Sequence, residues 1–383
     1  PGVAVVSSAV AAFEQSRHSS CWPSGFVSAV SDAPPFCLIM AGVSHATKLV
    51  IQDARVLQDD FIPKEVKHRD PEVNRISDAL APITDGDSGE TTFLLGPTGV
   101  GKTCLAQFVT ERLREQVLDL QTCYVNCWED YNRYRTLYRV LDAVTSTHDI
   151  HRQSTPQDVL LNRLRELDDA PYVIILDEVD QLQDTKALYD LYSIPHITMV
   201  LVANREDALF AGFGDRLRSR LQSSIRVRLA AYNSDALVAI LRDRVRWGLS
   251  DNSIGTGVLD QVADSAAGDA RVAIGTLRRA ARAATTAGVD RITTELVADV
   301  VPEAKAAIRQ KNVAQLTPDQ QVLYEVATEH GEIAPGELYD EYAHRVSDPK
   351  SKRTVRKYMG KLAQYNLVDA VGQKRGRRYH VVE

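Results

Sequence analysis

Residues 96–103 read GPTGVGKT, set between the apolar run TFLL (Thr92–Leu95) and an amphipathic stretch at residues 104–113. Every fixed position of the pattern G-x-x-x-x-G-K-[ST] is filled, and the flanks supply the strand and helix that such a loop needs. Loop amides and a helix N-terminus that converge on one point form an anion site. Gly96, Pro97, Thr98, Gly99, Val100, Gly101, Lys102, Thr103 and Cys104 are therefore expected to cradle nucleotide phosphates. Lys102 would reach the outer phosphates and the Thr103 hydroxyl would ligate magnesium.

A nucleotide bound with magnesium needs a carboxylate at the end of a neighbouring strand. Residues 172–180, YVIILDEVD, provide one: four apolar residues suit a strand buried on both faces, and Asp177 and Glu178 follow at its C-terminal edge. Asp177 is the expected metal-side residue and Glu178 the expected base that polarises the attacking water. A third apolar run, ITMVLVA at residues 197–203, closes on Asn204, whose amide could hydrogen-bond that water or the terminal phosphate. Two arginine-rich segments follow, DRLRSRLQSS at residues 215–224 and GDARVAIGTLRRA at residues 268–280.

The order of phosphate loop, DE strand and Asn-terminated strand resembles the AAA+ class of P-loop ATPases. The resemblance implies that Asn204 is the class's first sensor, that Arg220, ahead of a Ser-Ser pair, is an arginine finger acting on a neighbouring subunit, and that Arg271 is a second sensor in a helical lid. Residues 59–80, DDFIPKEVKHRDPEVNRISDAL, and 124–141, YVNCWEDYNRYRTLYRVL, are similar to segments of archaeal origin-recognition and replication-initiator (Orc/Cdc-type) proteins, and the similarity runs over residues 56–383. It implies base and ribose contacts from Phe61, Pro63, Val66 and Arg69, ATP or ADP with Mg2+ as ligands, and slow, switch-like hydrolysis. It also implies origin duplex DNA, a replicative helicase and further initiator copies as partners. The chain departs from the family pattern in the short connection QLQDTKALYDLYSIPH after Asp180.

The C-terminus separates its charges. From residue 314 to 344 there are seven acidic residues and no lysine or arginine; from 345 to 378 there are eleven basic residues against two acidic ones. Thr317-Pro318 opens one helix, a second begins near Pro335, a third covers residues 351–365, and LVDAVGQKRGRRYHVV reads as a hairpin. Three helices and a hairpin make a winged helix. Lys352, Arg353, Arg356, Lys357 and Lys361 on the third helix, with Lys374, Arg375, Arg377 and Arg378 on the wing, carry the electrostatic signature of a duplex-DNA reader. The whole chain has a net charge of -6, so this basic cluster is local.

Length and composition agree with two or three soluble domains: 383 residues, 44% hydrophobic and 25% charged, with no apolar run long enough for a membrane span. A cytoplasmic, chromosome-associated protein is expected. Arginine exceeds lysine 33 to 12 and aspartate exceeds glutamate 33 to 18, which fits a high-GC genome and is compatible with a salt-loving host. Five cysteines argue against a disulfide framework, and Cys123 and Cys127 lack a second Cys/His pair for zinc. Residues 1–50 are expected to be a disordered extension, with a natural start at Met40. The expected fold is α/β: an AAA+ P-loop ATPase core with a parallel sheet and flanking helices at 51–228, a helical lid at 229–302, and a C-terminal winged helix with its linker at 303–383. A winged-helix transcription regulator, or a motor or clamp-loader-like ATPase, remains an alternative use of the same modules.

Overall fold

The computed structural model describes residues 50–151, 155–167, 170–314, 316–372 and 376–382. Its centre is a five-stranded sheet of β1 (Thr92–Leu95), β2 (Gln121–Asn126), β3 (Tyr172–Asp177), β4 (Ile197–Ala203) and β5 (Ile225–Arg228), ordered β2-β3-β4-β1-β5 with every pairing parallel. β3 and β4 are buried at every position, as continuous apolar runs must be when helices cover both faces. Successive side chains alternate between the faces. Leu94, Val173 and Val200 meet α1 (Asp70–Leu80) and α2 (Lys102–Arg114) on one side through Ile76, Leu80, Leu105 and Val109. Phe93, Ile174 and Leu201 pack on the other side against Leu137 and Leu141 of α3 (Arg133–Asp142), Leu160 and Leu164 of α4 (Gln157–Arg165) and Leu188 of α5 (Lys186–Tyr192). α6 (Glu206–Ala211) and α7 (Asp215–Leu221) complete that side. Placing β4 between β1 and β3 brings the ends of these three strands to one edge, where ligands of open parallel sheets gather.

The lid comprises α8 (Ser234–Gly248), α9 (Val258–Ala266), α10 (Ala270–Thr286) and α11 (Thr294–Ala314), packed through Leu237, Leu241, Val262, Leu277 and Ala281. Asn233 caps α8 by accepting from the Ala236 amide, and Asp269 caps α10 by accepting from Arg271 and Val272. One boundary differs from the sequence reading. Val50 and Leu57 lie in the lid core, and the Gln52 amide donates to the Gly248 carbonyl at 2.9 Å, so residues 50–57 belong with the lid and not with an extension or the sheet. α11 runs through Pro302, held by Val297, Val300 and Ala304, so the helical linker expected after Pro302 is a direct continuation of the last lid helix.

The C-terminal unit has α12 (Pro318–His330), α13 (Pro335–Arg345) and α14 (Lys352–Gln364), with an antiparallel sheet β6-β8-β7 made from Glu332–Ile333, Arg378–Val381 and Val368–Val371 respectively. Leu323, Leu338, Tyr342, Met359, Leu362 and Leu367 form its own core. Three helices and a hairpin give the winged helix, so the AAA+ core, lid and winged helix are all present. The reading of residues 1–49, including the Met40 start, and the cysteines at 21 and 37 fall outside the described residues, as do Lys374 and Arg375. Among the described residues, Cys104, Cys123 and Cys127 carry free thiols, and no helix is long and apolar enough to cross a membrane.

Candidate active site and basic face

The phosphate loop joins β1 to α2 through three glycines with positive φ, Gly96 (155°), Gly99 (74°) and Gly101 (84°). A Cβ on Gly96 would meet the Leu229 carbonyl, and one on Gly99 would run into the Asp269 carboxylate. The loop holds Lys102 folded inward: Nζ donates to the Gly96 carbonyl at 2.8 Å, the Pro97 carbonyl at 2.7 Å and Asn204 Oδ1 at 3.0 Å. Burial pushes its amine down to about 8. Thr103 Oγ1 donates to Asp177 Oδ2 at 2.7 Å, and the Tyr124 hydroxyl donates to the same oxygen at 2.8 Å. Glu178 has the left-handed φ of 52°, a strained conformation for this residue type, and its amide donates to Asp177 Oδ1 at 2.9 Å. Its carboxyl is raised, chiefly by burial, and Oε2 accepts from both Trp128 Nε1 and the Tyr365 hydroxyl.

The lid abuts this loop directly, with the Ala270 amide donating to the Gly99 carbonyl at 3.0 Å. Arg271 Nε is buried without a hydrogen-bond partner, 3.9 Å from Asp269 Oδ1, and Asn204 Nδ2 is likewise buried and unpartnered. Two orphan donors beside Lys102 fit an anion. Next to them, Phe61, Pro63 and Val66 line a cleft with Cys104, Tyr232, Ile240 and Ile274, an apolar slot suited to a base. Arg69 does not line it. Its guanidinium is buried behind the cleft, donating to Glu72 at 2.9 Å and the Ala230 carbonyl at 2.6 Å and lying 4.2 Å over the Tyr232 ring, so it braces the wall where the sequence reading had it touch the ligand. Hard oxygens on Thr103 and Asp177 fit magnesium, which takes one or two protein ligands and fills the rest with phosphate and water.

Residues 87–209 match the AAA domain family and residues 238–301 the Cdc6 AAA+ ATPase-type lid domain. ORC1-type DNA replication protein 9 of Halobacterium salinarum is 49% identical over 89% of this chain and 96% of its own length. ORC1-type DNA replication protein 1 of the same organism is 55% identical over 80% of this chain and all of its own. The chain belongs to the ORC1-type DNA replication proteins. The structure of the Aeropyrum pernix ORC1 protein in complex with DNA shares the fold, with a TM-score of 0.68, 24% identity, and 88% of this chain and 94% of that one covered. This ORC1-type chain is thus an AAA+ ATPase with a nucleotide-binding core, of a family acting in the initiation of DNA replication.

Other sequence-predicted residues of the ORC1-type chain lie away from the loop. Arg220 is exposed on α7, with Nη2 donating to the Tyr189 hydroxyl at 3.3 Å and the guanidinium 4.8 Å over that ring. Lys352, Arg353, Arg356 and Lys357 are exposed along α14; Arg377 and Arg378 are exposed on the wing, where Arg378 pairs with Glu332 at 3.3 Å. Lys361 departs from this group. Its Nζ sits 3.4 Å over the Trp128 ring, and burial pushes the amine down to about 8, because the last turn of α14 faces the ATPase and not solvent. Sequence reasoning missed Asp269, Tyr232 and Arg244. Arg244 donates to the Val56 carbonyl at 2.8 Å and the Phe61 carbonyl at 3.2 Å and lies 4.6 Å over the Phe61 ring, fixing the cleft wall. Only Asp269 left a signal, as an aspartate one residue ahead of a helix.

Proposed function

We propose that this chain is an ATP-switched initiator that binds origin duplex DNA through α14 and the wing and uses its nucleotide state to change how those faces engage. The observation that carries the switch is the seam at Gly99 and Ala270, where lid and loop meet beside two unpartnered donors, Arg271 Nε and Asn204 Nδ2. A terminal phosphate would give both a partner and tie the lid to the sheet; its loss would release them, a population shift between two arrangements. In this reading Lys102 exchanges its loop carbonyls for phosphate oxygens, Glu178 takes the proton of the attacking water, and Asn204 orients that water. Thr103 and Asp177 would hold magnesium, which when bound offsets charge on the phosphates. Phe61, Pro63 and Val66 would enclose the base. Arg220, exposed and remote from its own loop, is suited to reach the site of another copy, and a helicase is the expected downstream partner.

The basic faces of α14 and the wing support duplex binding, because arginine and lysine on a groove-sized helix neutralise phosphates. The test is duplex affinity of the full chain measured across a salt series with ATP and with ADP. The two nucleotides should give different affinities, and Arg271→Ala should erase the difference. Equal affinities in wild type would overturn the switch.

A further inference from the structure

Tyr365 stands at the end of α14 and is nearly fully buried, yet its hydroxyl reaches a group 187 residues away in the chain, Glu178. Trp128, just after β2, donates its Nε1 both to the same carboxylate oxygen and to the Tyr365 hydroxyl at 2.8 Å, and the two rings lie 5.5 Å apart. Lys361, one turn earlier on α14, covers the Trp128 ring. From the other side, Asn312 of α11 donates Nδ2 to the Tyr365 carbonyl at 3.2 Å. The end of the basic helix is thus stapled to the ATPase and to the long lid helix at once.

We propose that Tyr365 is a positioning residue that restrains ATP hydrolysis by holding Glu178 in a docked arrangement of the winged helix, and that duplex DNA on α14 competes with that docking. This rests on Glu178 being the base that activates water. Two donors hold the carboxylate oxygen toward Trp128 and Tyr365, so it is not free to turn to a water at the terminal phosphate. The competition follows from helical spacing. Arg353, Lys357 and Lys361 are each one turn apart, so a duplex laid along the exposed part of the stripe reaches Lys361 only when the helix end leaves Trp128. Because α11 holds Tyr365 from behind and packs on α10, which carries Arg271, the contact with Glu178 also answers to the lid.

The experiment is steady-state ATP hydrolysis by the full chain with saturating ATP and magnesium, with and without a duplex of mixed sequence. Tyr365→Phe keeps the ring and removes the hydroxyl; it should raise duplex-free turnover about tenfold, the scale of one charge-assisted hydrogen bond, with ATP affinity within about twofold of wild type. Lys361→Ala should move turnover in the same direction, and a duplex should stimulate wild type more than either variant. A merely structural role would lower turnover or affinity, not raise turnover alone. Unchanged or slower turnover in Tyr365→Phe, alongside loss of hydrolysis in Glu178→Gln, overturns the restraint and leaves the base assignment standing. Raised turnover that persists in Tyr365→Phe combined with Glu178→Gln removes the base assignment and the proposal with it.

Discussion

The ammonium of Lys102 is buried and bonded to two loop carbonyls and to Asn204, and burial lowers its proton affinity. Phosphate oxygens can replace those carbonyls at the same distance, and a charged contact in a buried site is worth more than a neutral one. Lys102→Ala is therefore expected to weaken ATP binding by at least about 2 kcal/mol, roughly thirtyfold, in isothermal titration. An affinity within threefold of wild type would assign the outer phosphates to another cation. Glu178→Gln keeps the shape of the side chain and both donors' partner oxygen but not its basicity; ATP should bind as in wild type while turnover falls by about a hundredfold. Unchanged turnover would mean that a different group activates water. The loop, Asp177, Glu178 and Asn204 were legible because each is written in a few consecutive residues at a strand end. Arg69 was not: beyond Glu72 it is held by the Ala230 carbonyl, 161 residues away, and the Tyr232 ring, distant partners that make it a brace and that its neighbours in sequence do not show.

Elements turn these residues into a site. Gly99 sits at φ 74° against Asp269, the cap of α10, so loop and lid fit only while that position has no side chain. Gly99→Ala should impair ATP binding through both strain and a blocked seam, with the sheet still folded; calorimetric titration together with circular dichroism would separate this from unfolding, and wild-type affinity would show that the seam opens without cost. β1, β3, β4 and α12 to α14 were readable from apolar runs and capping residues, whereas the short β5 and β6 carry no such run. Pro302 lies inside α11, where the packing of Val297, Val300 and Ala304 on either side carries the helix past the missing amide bond. Lys361 has the spacing of a DNA-facing residue, and only the tertiary fold shows Trp128 beneath it. For the exposed residues the charge reading leads to a salt test. Arg356→Ala or Lys357→Ala should weaken binding to any duplex and flatten the slope of log affinity against log salt by about one unit per lost phosphate contact. An unaltered slope with Arg353, Arg356 and Lys357 all replaced would make α14 an ordinary solvated surface.

At the scale of the whole molecule, the described residues divide into apolar clusters on the two sheet faces, a lid core that includes Val50 and Leu57, and a separate C-terminal core around Tyr342 and Leu362. The cleft proposed for the nucleotide lies between sheet and lid, since Phe61, Val66, Gly99 and Cys104 line it together with Ile240, Ile274 and Arg271. The C-terminal core meets the ATPase at Trp128, Lys361 and Tyr365, a contact of a few side chains and not a shared core. A ligand stabilises what it binds by mass action, about 2.7 kcal/mol at a hundredfold excess over its dissociation constant, and only the unit that unfolds with the site feels the full amount. Thermal unfolding should therefore be more than two-state. Scanning calorimetry of the full chain with ATP and magnesium should move one transition, that of sheet plus lid, upward by several degrees, while the winged-helix transition moves far less. In Lys102→Ala neither should respond. If both transitions in wild type rise together by the same amount, the three regions unfold as one body, and a winged helix free to leave Glu178 when it meets DNA is not compatible with that cooperativity.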